Sequence, residues 1–145
     1  MGNLNHQWSE RMLSVLRIIV GLLFLEHGLS KIFDFPHAAN HVAYGLFSLN
    51  PGLQALLEVV GGVLLALGLF TRPVAFILSG DMAVAYFMAH FPRGVFPLLN
   101  AGELAIVYCF LFLYYAVAGG GAWSLDQLRR RETARVTGPA AQRTA

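Results

Sequence analysis

The run LQALLEVVGGVLLALGLF, residues 53–70, contains Gln54 and Glu58 as its only polar side chains. A surface helix of a soluble domain needs a polar face opposite its apolar stripe, and none can be drawn around this one. A hydrocarbon core about 30 Å thick takes roughly 20 helical residues to cross. Four segments reach that length: Leu13–Phe33, Gly52–Phe70, Pro73–Phe91 and Leu98–Ala118. Composition agrees, since 57% hydrophobic residues, 12% charged residues and a mean hydropathy of +0.59 lie outside the soluble range. The expectation is an all-α integral membrane protein. Its four-transmembrane-helix bundle occupies residues 13–118, between an N-terminal tail, 1–12, and a C-terminal tail, 119–145.

Orientation follows from the basic residues. Arg11, Arg17, Arg72, Arg129, Arg130, Arg131, Arg135 and Arg143 fall on one side of such a bundle, and Lys31 and Arg93 on the other. The positive-inside rule then puts both termini in the cytoplasm and the 34–51 and 92–97 connections outside. A pI near 9.0 thereby records topology, and nucleic acid is not an expected partner. MGNLNHQWSERM lacks a basic region followed by a short apolar core, so the first run reads as a permanent span, not a removable signal.

The connections are informative. DFPHAANHVAYGLFSLNP, with His37, His41, Tyr44 and Phe47, suits a short interfacial helix. Thr71 and Arg72 before Pro73 leave so little chain that spans two and three must form an antiparallel hairpin. GGGAWSLDQL reads as a glycine-rich break, an interfacial Trp123 and a cap at Ser124 for a short basic helix. Beyond Val136, TGPAAQRTA has the composition of a disordered tail. The halves also echo one another: Arg17 precedes Glu26, and Arg72 precedes Asp81, by the same interval, and each half then reaches Phe-Pro. Two parallel-repeat helical hairpins would give that pattern.

Each span carries one acid: Glu26, Glu58, Asp81 and Glu103. At a rise of about 1.5 Å per residue, Glu26, Glu58 and Glu103 fall roughly 9–10 Å inside the outer boundary and Asp81 nearer the midplane. An ionisable side chain costs roughly 2.5–3.5 kcal/mol at a helix centre, so all four are expected to turn inward. His27, Lys31, His90 and Asn100 are partners at that depth. Two readings stand side by side: a hydrogen-bonded polar core that fixes helix register, and an outward-facing pocket that binds a ligand or handles protons. Glu26, His27 and Glu103 stand out because Gly28 and Gly102 beside them permit close backbone approach. Cys109 is the only cysteine and reads as packing; Gly61, Gly62, Ala66 and Gly68 read as a close-packing set. No metal site is expected. There is no CxxC, GxGxxG, phosphate-binding loop or catalytic triad, so the residues name no reaction.

RIIVGLLFLEHGLSKIF, LLEVVGGVLLALGLFTRPVA, NAGELAIVY and GAWSLDQL, in that order, resemble the DoxX family of small bacterial membrane proteins. The likeness runs from about Leu16 to Leu128. Its motif positions here are His27, Gly28, Lys31, Glu58, Asn100, Glu103, Ser124, Leu125 and Asp126. The resemblance implies an inner-membrane protein, and for some relatives redox work. The related DoxD proteins are a subunit of an archaeal thiosulfate:quinone oxidoreductase, and a mycobacterial relative assembles with superoxide dismutase and a sulfurtransferase. It implies no agreed catalytic residues. The expected function is a redox-associated membrane subunit with an outward-facing polar pocket and quinone as the candidate ligand. The expected partners are the lipid bilayer, redox proteins or further copies of the chain. A non-enzymatic scaffold and a small-solute or proton transporter are the alternatives.

Overall fold

A computed structural model of the chain describes residues 2–37 and 52–137. No strand occurs among them. Helix α1 spans Gly2–Phe33, α2 Gly52–Leu67 and α3 Thr71–Ala85. The third continues through a π-helical segment, Tyr86–His90, and a 3-10 turn, Phe91–Arg93; α4 (Pro97–Asn100), α5 (Glu103–Ala118) and α6 (Leu125–Thr137) follow. Two stretches are long and apolar enough to cross a membrane, Leu4–Phe33 and Thr71–Arg93, while α2 and α5 are apolar helices of 16 residues each. Large apolar side chains such as Phe76, Phe110 and Val117 face outward, as a lipid-facing surface requires.

Helix α1 packs along α2, and α3 along α5, with a lesser junction between α2 and α3. The α1–α2 seam is built from glycine. A Cβ added at Gly62 would lie 2.7 Å from the Leu25 backbone nitrogen, and one at Gly21 would lie 2.6 Å from that of Ala66. Gly61 faces the other way, against Leu78 of α3. Phe24, Leu65, Leu78, Phe112 and Tyr115 form the core between the pairs, and Phe24 meets Phe112 edge-on with ring centroids 4.8 Å apart. On α3, the Ser79 hydroxyl donates to the Cys109 carbonyl of α5 at 2.9 Å; Cys109 packs against the core.

Three expected boundaries move. The first helix begins at Gly2, ahead of the expected Leu13. The second run ends at Leu67, and the chain turns through Gly68 (φ +70°) and Phe70 (φ 50°) before α3. The fourth run does not continue unbroken from Leu98: α4 stops at Asn100, Ala101 takes a left-handed φ of 57°, and α5 starts at Glu103. Asn100 causes the break, its side-chain oxygen accepting from the Gly102 amide at 2.8 Å and its side-chain nitrogen donating to the Gly94 carbonyl at 2.7 Å. Only glycine fits at 102, since a Cβ there would come within 2.6 Å of both that oxygen and the Tyr86 ring. In the first connection, His37 Nδ1 lies 2.6 Å from an Asp34 oxygen; His41, Tyr44, Phe47 and the expected interfacial helix lie outside the described residues, as does the tail after Thr137.

Arg17, expected at the membrane boundary as a topology-setting charge, is instead fully buried. Its Nε donates to the Gly120 carbonyl at 2.8 Å and its terminal nitrogens to the carbonyls of Leu65, Ala66 (2.6 Å) and Trp123 (2.9 Å). The last carbonyls of a helix have no intrahelical donor, so one guanidinium caps the end of α2 and fastens the 119–124 linker to it. Asp126 holds the other side of the turn. Its two oxygens accept from the amides of Phe70 and Thr71, each at 2.8 Å, at the start of α3. Its own amide donates to the Gly68 carbonyl at 3.0 Å. Ser124 caps α6 as expected, accepting from the Gln127 amide at 3.2 Å. Arg72, the counterpart of Arg17 in the half-to-half echo, is exposed, so that pairing fails.

Burial on its own would raise the Asp126 pKa, but the amides of Thr71 and Phe70 and the charge of Arg130 outweigh it and hold the carboxyl below its usual range. A carboxylate depressed on folding contributes stability that is complete above the unfolded pKa, about 3.9, and is lost as pH falls through the lower folded value. The Asp126→Asn variant is therefore expected to melt lower at neutral pH, by about 1 kcal/mol as for loss of a cap. Its deficit should shrink only below about pH 4, which thermal unfolding in detergent across pH would read.

Candidate functional site

The far ends of α1 and α2, away from the Arg17 clasp, carry the polar side chains. Lys31 lies one turn beyond His27, so both leave the same face of α1. On α2, Ala55, Glu58, Gly61, Gly62 and Leu65 form the buried stripe, which carries Glu58 inward with its apolar neighbours. Lys31 Nζ donates to Glu58 Oε1 at 2.6 Å, and the Glu58 side chain is only 3% exposed. The second oxygen, Oε2, is buried with no hydrogen-bond partner among the described residues. Asp81 reaches toward the same pair from α3, close enough to interact electrostatically with both, and its Oδ2 is likewise buried without a partner. One ammonium cannot neutralise two carboxylates, so the cluster has room for one more proton or hydrogen-bond donor.

Lys31 and Glu58 open into a cavity of about 240 Å³. His27, Gln54, His90, Phe24, Met82, Leu104 and Tyr108 also line it. His27 Nδ1 lies 2.8 Å from the Leu23 carbonyl and His90 Nδ1 3.0 Å from the Asn100 carbonyl. A carbonyl only accepts, so in each ring Nδ1 bears the hydrogen, and the neutral imidazole keeps Nε2 as an acceptor. Tyr108 stands edge-on to His27 with centroids 6.0 Å apart. Exposed His27, Ala101 and Leu104 mark the mouth of the cavity between α1 and α5. The arrangement can take a small molecule with hydrogen-bonding groups on an apolar ring or tail: an ammonium donor, two imidazole acceptors and a carboxylate face an aromatic floor.

The expected inward cluster of four acids is corrected. Glu26 and Glu103 are exposed and do not line the cavity. Depth along a helix says nothing about azimuth. Glu26 is two residues from both Phe24 and Gly28, which are buried, and so points to the opposite face; Glu103 stands in the same relation to buried Ala105. Glu103 is acceptable there at the first residue of α5, where the helix dipole favours negative charge. Asn100 is buried at the 94–102 elbow, with both ends of its amide committed to backbone; it holds His90 through its carbonyl and does not line the cavity. Phe24, Gln54, Met82 and Tyr108 were not expected at the site. Gln54 was findable, lying one turn from Glu58 on the same face, but nothing in one helix reveals Tyr108 from another.

A model of the family described as DoxX matches residues 12–91, from within α1 to the start of the 3-10 turn. The chain belongs to the DoxX family. A protein of Haemophilus influenzae named "Uncharacterized protein" is 44% identical over 87% of this chain and 96% of its own. The "Inner membrane protein YqjF" of Escherichia coli is 32% identical over 81% of this chain and 92% of its own. A more distant relative, "Putative oxidoreductase CatD" of Bacillus subtilis, is 27% identical over 77% of this chain and 82% of its own. No solved structure matches the chain. The DoxX match includes Arg17, His27, Lys31, Glu58, Asp81 and His90 and stops short of α5 and the 119–126 linker. Membership makes this a membrane protein, in contact with lipid.

Proposed function

We propose that this DoxX protein is a redox-associated subunit of the bacterial inner membrane, with four spans and both termini cytoplasmic, whose outward-facing cavity binds a quinone-like headgroup. The observation that carries the reading is the Lys31–Glu58 pair at the cavity, its Glu58 carboxylate buried with one oxygen unpartnered among the described residues. Lys31 donates to one carbonyl of the headgroup, and the Nε2 atoms of His27 and His90 accept from its hydroxyls in the reduced form. Quinone reduction takes two electrons and two protons to give the quinol; the electrons come from a partner redox protein, and the carboxylates of Glu58 and Asp81 pass the protons. The mouth between α1 and α5 lets an isoprenoid tail stay in the bilayer while the headgroup enters. A relative named as an oxidoreductase, CatD, and one named as an inner-membrane protein, YqjF, support the same reading.

The same pair also supports the plainer reading in which it only locks helix register. The two separate in a double-mutant comparison. Lys31→Met leaves Glu58 buried without its cation and is expected to cost about 3–5 kcal/mol, whereas Lys31→Met with Glu58→Leu recovers most of that stability. A stable double variant that has lost bound quinone, by about tenfold as for one strong polar contact, supports binding. If extraction of wild-type protein purified in mild detergent yields no quinone by mass spectrometry, and deleting the protein leaves quinone-dependent electron flux unchanged, the proposal fails.

A further inference from the structure

At the other end of the molecule a second cavity, about 480 Å³, lies between the α2–α3 turn, the 118–121 linker and α6. Arg72, Arg129 and Arg130 line it. The carboxylates that also line it are Glu10 and Asp126, and both oxygens of Asp126 are occupied by the Phe70 and Thr71 amides. Among the described residues none of the three arginines lies within ion-pair distance of a carboxylate. Arg129 is held over the Phe70 ring at 5.3 Å, and Phe70 is itself half exposed.

Basic residues at this end of a membrane protein are expected for topology alone, and lysine serves topology as well as arginine. This chain uses lysine once, at Lys31 in the opposite cavity, and arginine at all nine other basic positions. Arginine's planar fork binds phosphate oxygens in pairs, which an ammonium cannot do. We infer that the Arg72–Arg129–Arg130 cavity is a binding site for a phosphate ester, the phosphate seated between the guanidinium groups and any attached acyl chains lying over Phe70. The source of the phosphate is an anionic lipid headgroup or a soluble phosphorylated molecule.

Wild-type protein and the triple variant Arg72→Lys, Arg129→Lys and Arg130→Lys, which keeps every positive charge, would be placed in nanodiscs mixing phosphatidylglycerol with phosphatidylcholine, then released for native mass spectrometry. Wild type is expected to retain phosphatidylglycerol in preference to phosphatidylcholine, and the lysine variant to retain about tenfold less, the loss of one bidentate contact. Retention that withstands millimolar inorganic phosphate assigns the site to lipid. Thermal stabilisation by inorganic phosphate, absent in the lysine variant and without lipid retention, assigns it to a soluble phosphate ester. No lipid preference and no phosphate stabilisation in wild type overturns the site, as does equal retention by both proteins. The first of these needs only wild type, so a poorly folding variant does not shelter the inference.

Discussion

Replacing Arg17 with alanine is expected to cost on the order of 3–5 kcal/mol and to leave little folded protein after extraction into mild detergent. The buried guanidinium is the donor for four carbonyls, those of Leu65, Ala66, Gly120 and Trp123. The side chain that makes these bonds is itself fully buried. Arg17→Lys should recover only part of the loss, because three ammonium donors on a flexible stem cannot match a planar fork set against carbonyls on two sides. Thermal unfolding of the two variants beside wild type gives the order wild type, lysine, alanine. If the alanine variant melts with wild type, Arg17 does not fasten the linker to α2. If lysine equals arginine, charge alone suffices.

The second large effect is expected at Gly62. Valine there places side-chain atoms where the backbone of Leu25 already lies, with even a first Cβ at 2.7 Å from its nitrogen. Helix propensity favours the change by up to about 1 kcal/mol, but neither backbone can yield without separating α1 from α2. Overpacking costs about 1–3 kcal/mol, and here the obstacle is main chain, so the upper end applies. The same two helices carry Lys31 and Glu58, so the displacement should also reach the cavity. Gly62→Val is expected to lower the melting temperature and to loosen the Lys31–Glu58 pair. A control at Gly80, where an added Cβ meets nothing within 4 Å, should do neither, and equal melting of the two variants would contradict the glycine seam.

The helical character of the chain was legible in the sequence because it rests on what is missing: a helix such as Leu53–Phe70 has no polar face to show to water. The α2–α3 turn was legible from Pro73 and its short flanks, and Ser124 from its capping chemistry. Lys31 and Glu58 were legible as residues that need a partner, and the structure pairs them. Azimuth was not legible. A linear rise gives Glu26, Glu58 and Glu103 one depth, whereas their angular positions relative to Phe24, Leu65 and Ala105 decide which of them enters the cavity. The elbow at Asn100 was hidden too, because its cause is a set of hydrogen bonds from one side chain to Gly94 and Gly102, which no apolar periodicity records. Arg17 misled in the opposite direction. A single arginine beside an apolar run looks like a boundary marker, and its acceptors at 120 and 123 are more than a hundred residues away.

That separation sets an order of construction. A ribosome delivers Arg17 early, and the carbonyls of Leu65 and Ala66 only after the next helix is made. Gly120, Trp123 and Asp126 follow only after α5 has been made. Until then the first helix holds a guanidinium with half of its acceptors missing, and the start of α3 lacks its carboxylate. The membrane helices of this protein can be threaded one after another, but the end that joins them stays open until the chain beyond α5 arrives, which makes the linker before α6 the closing piece of the fold.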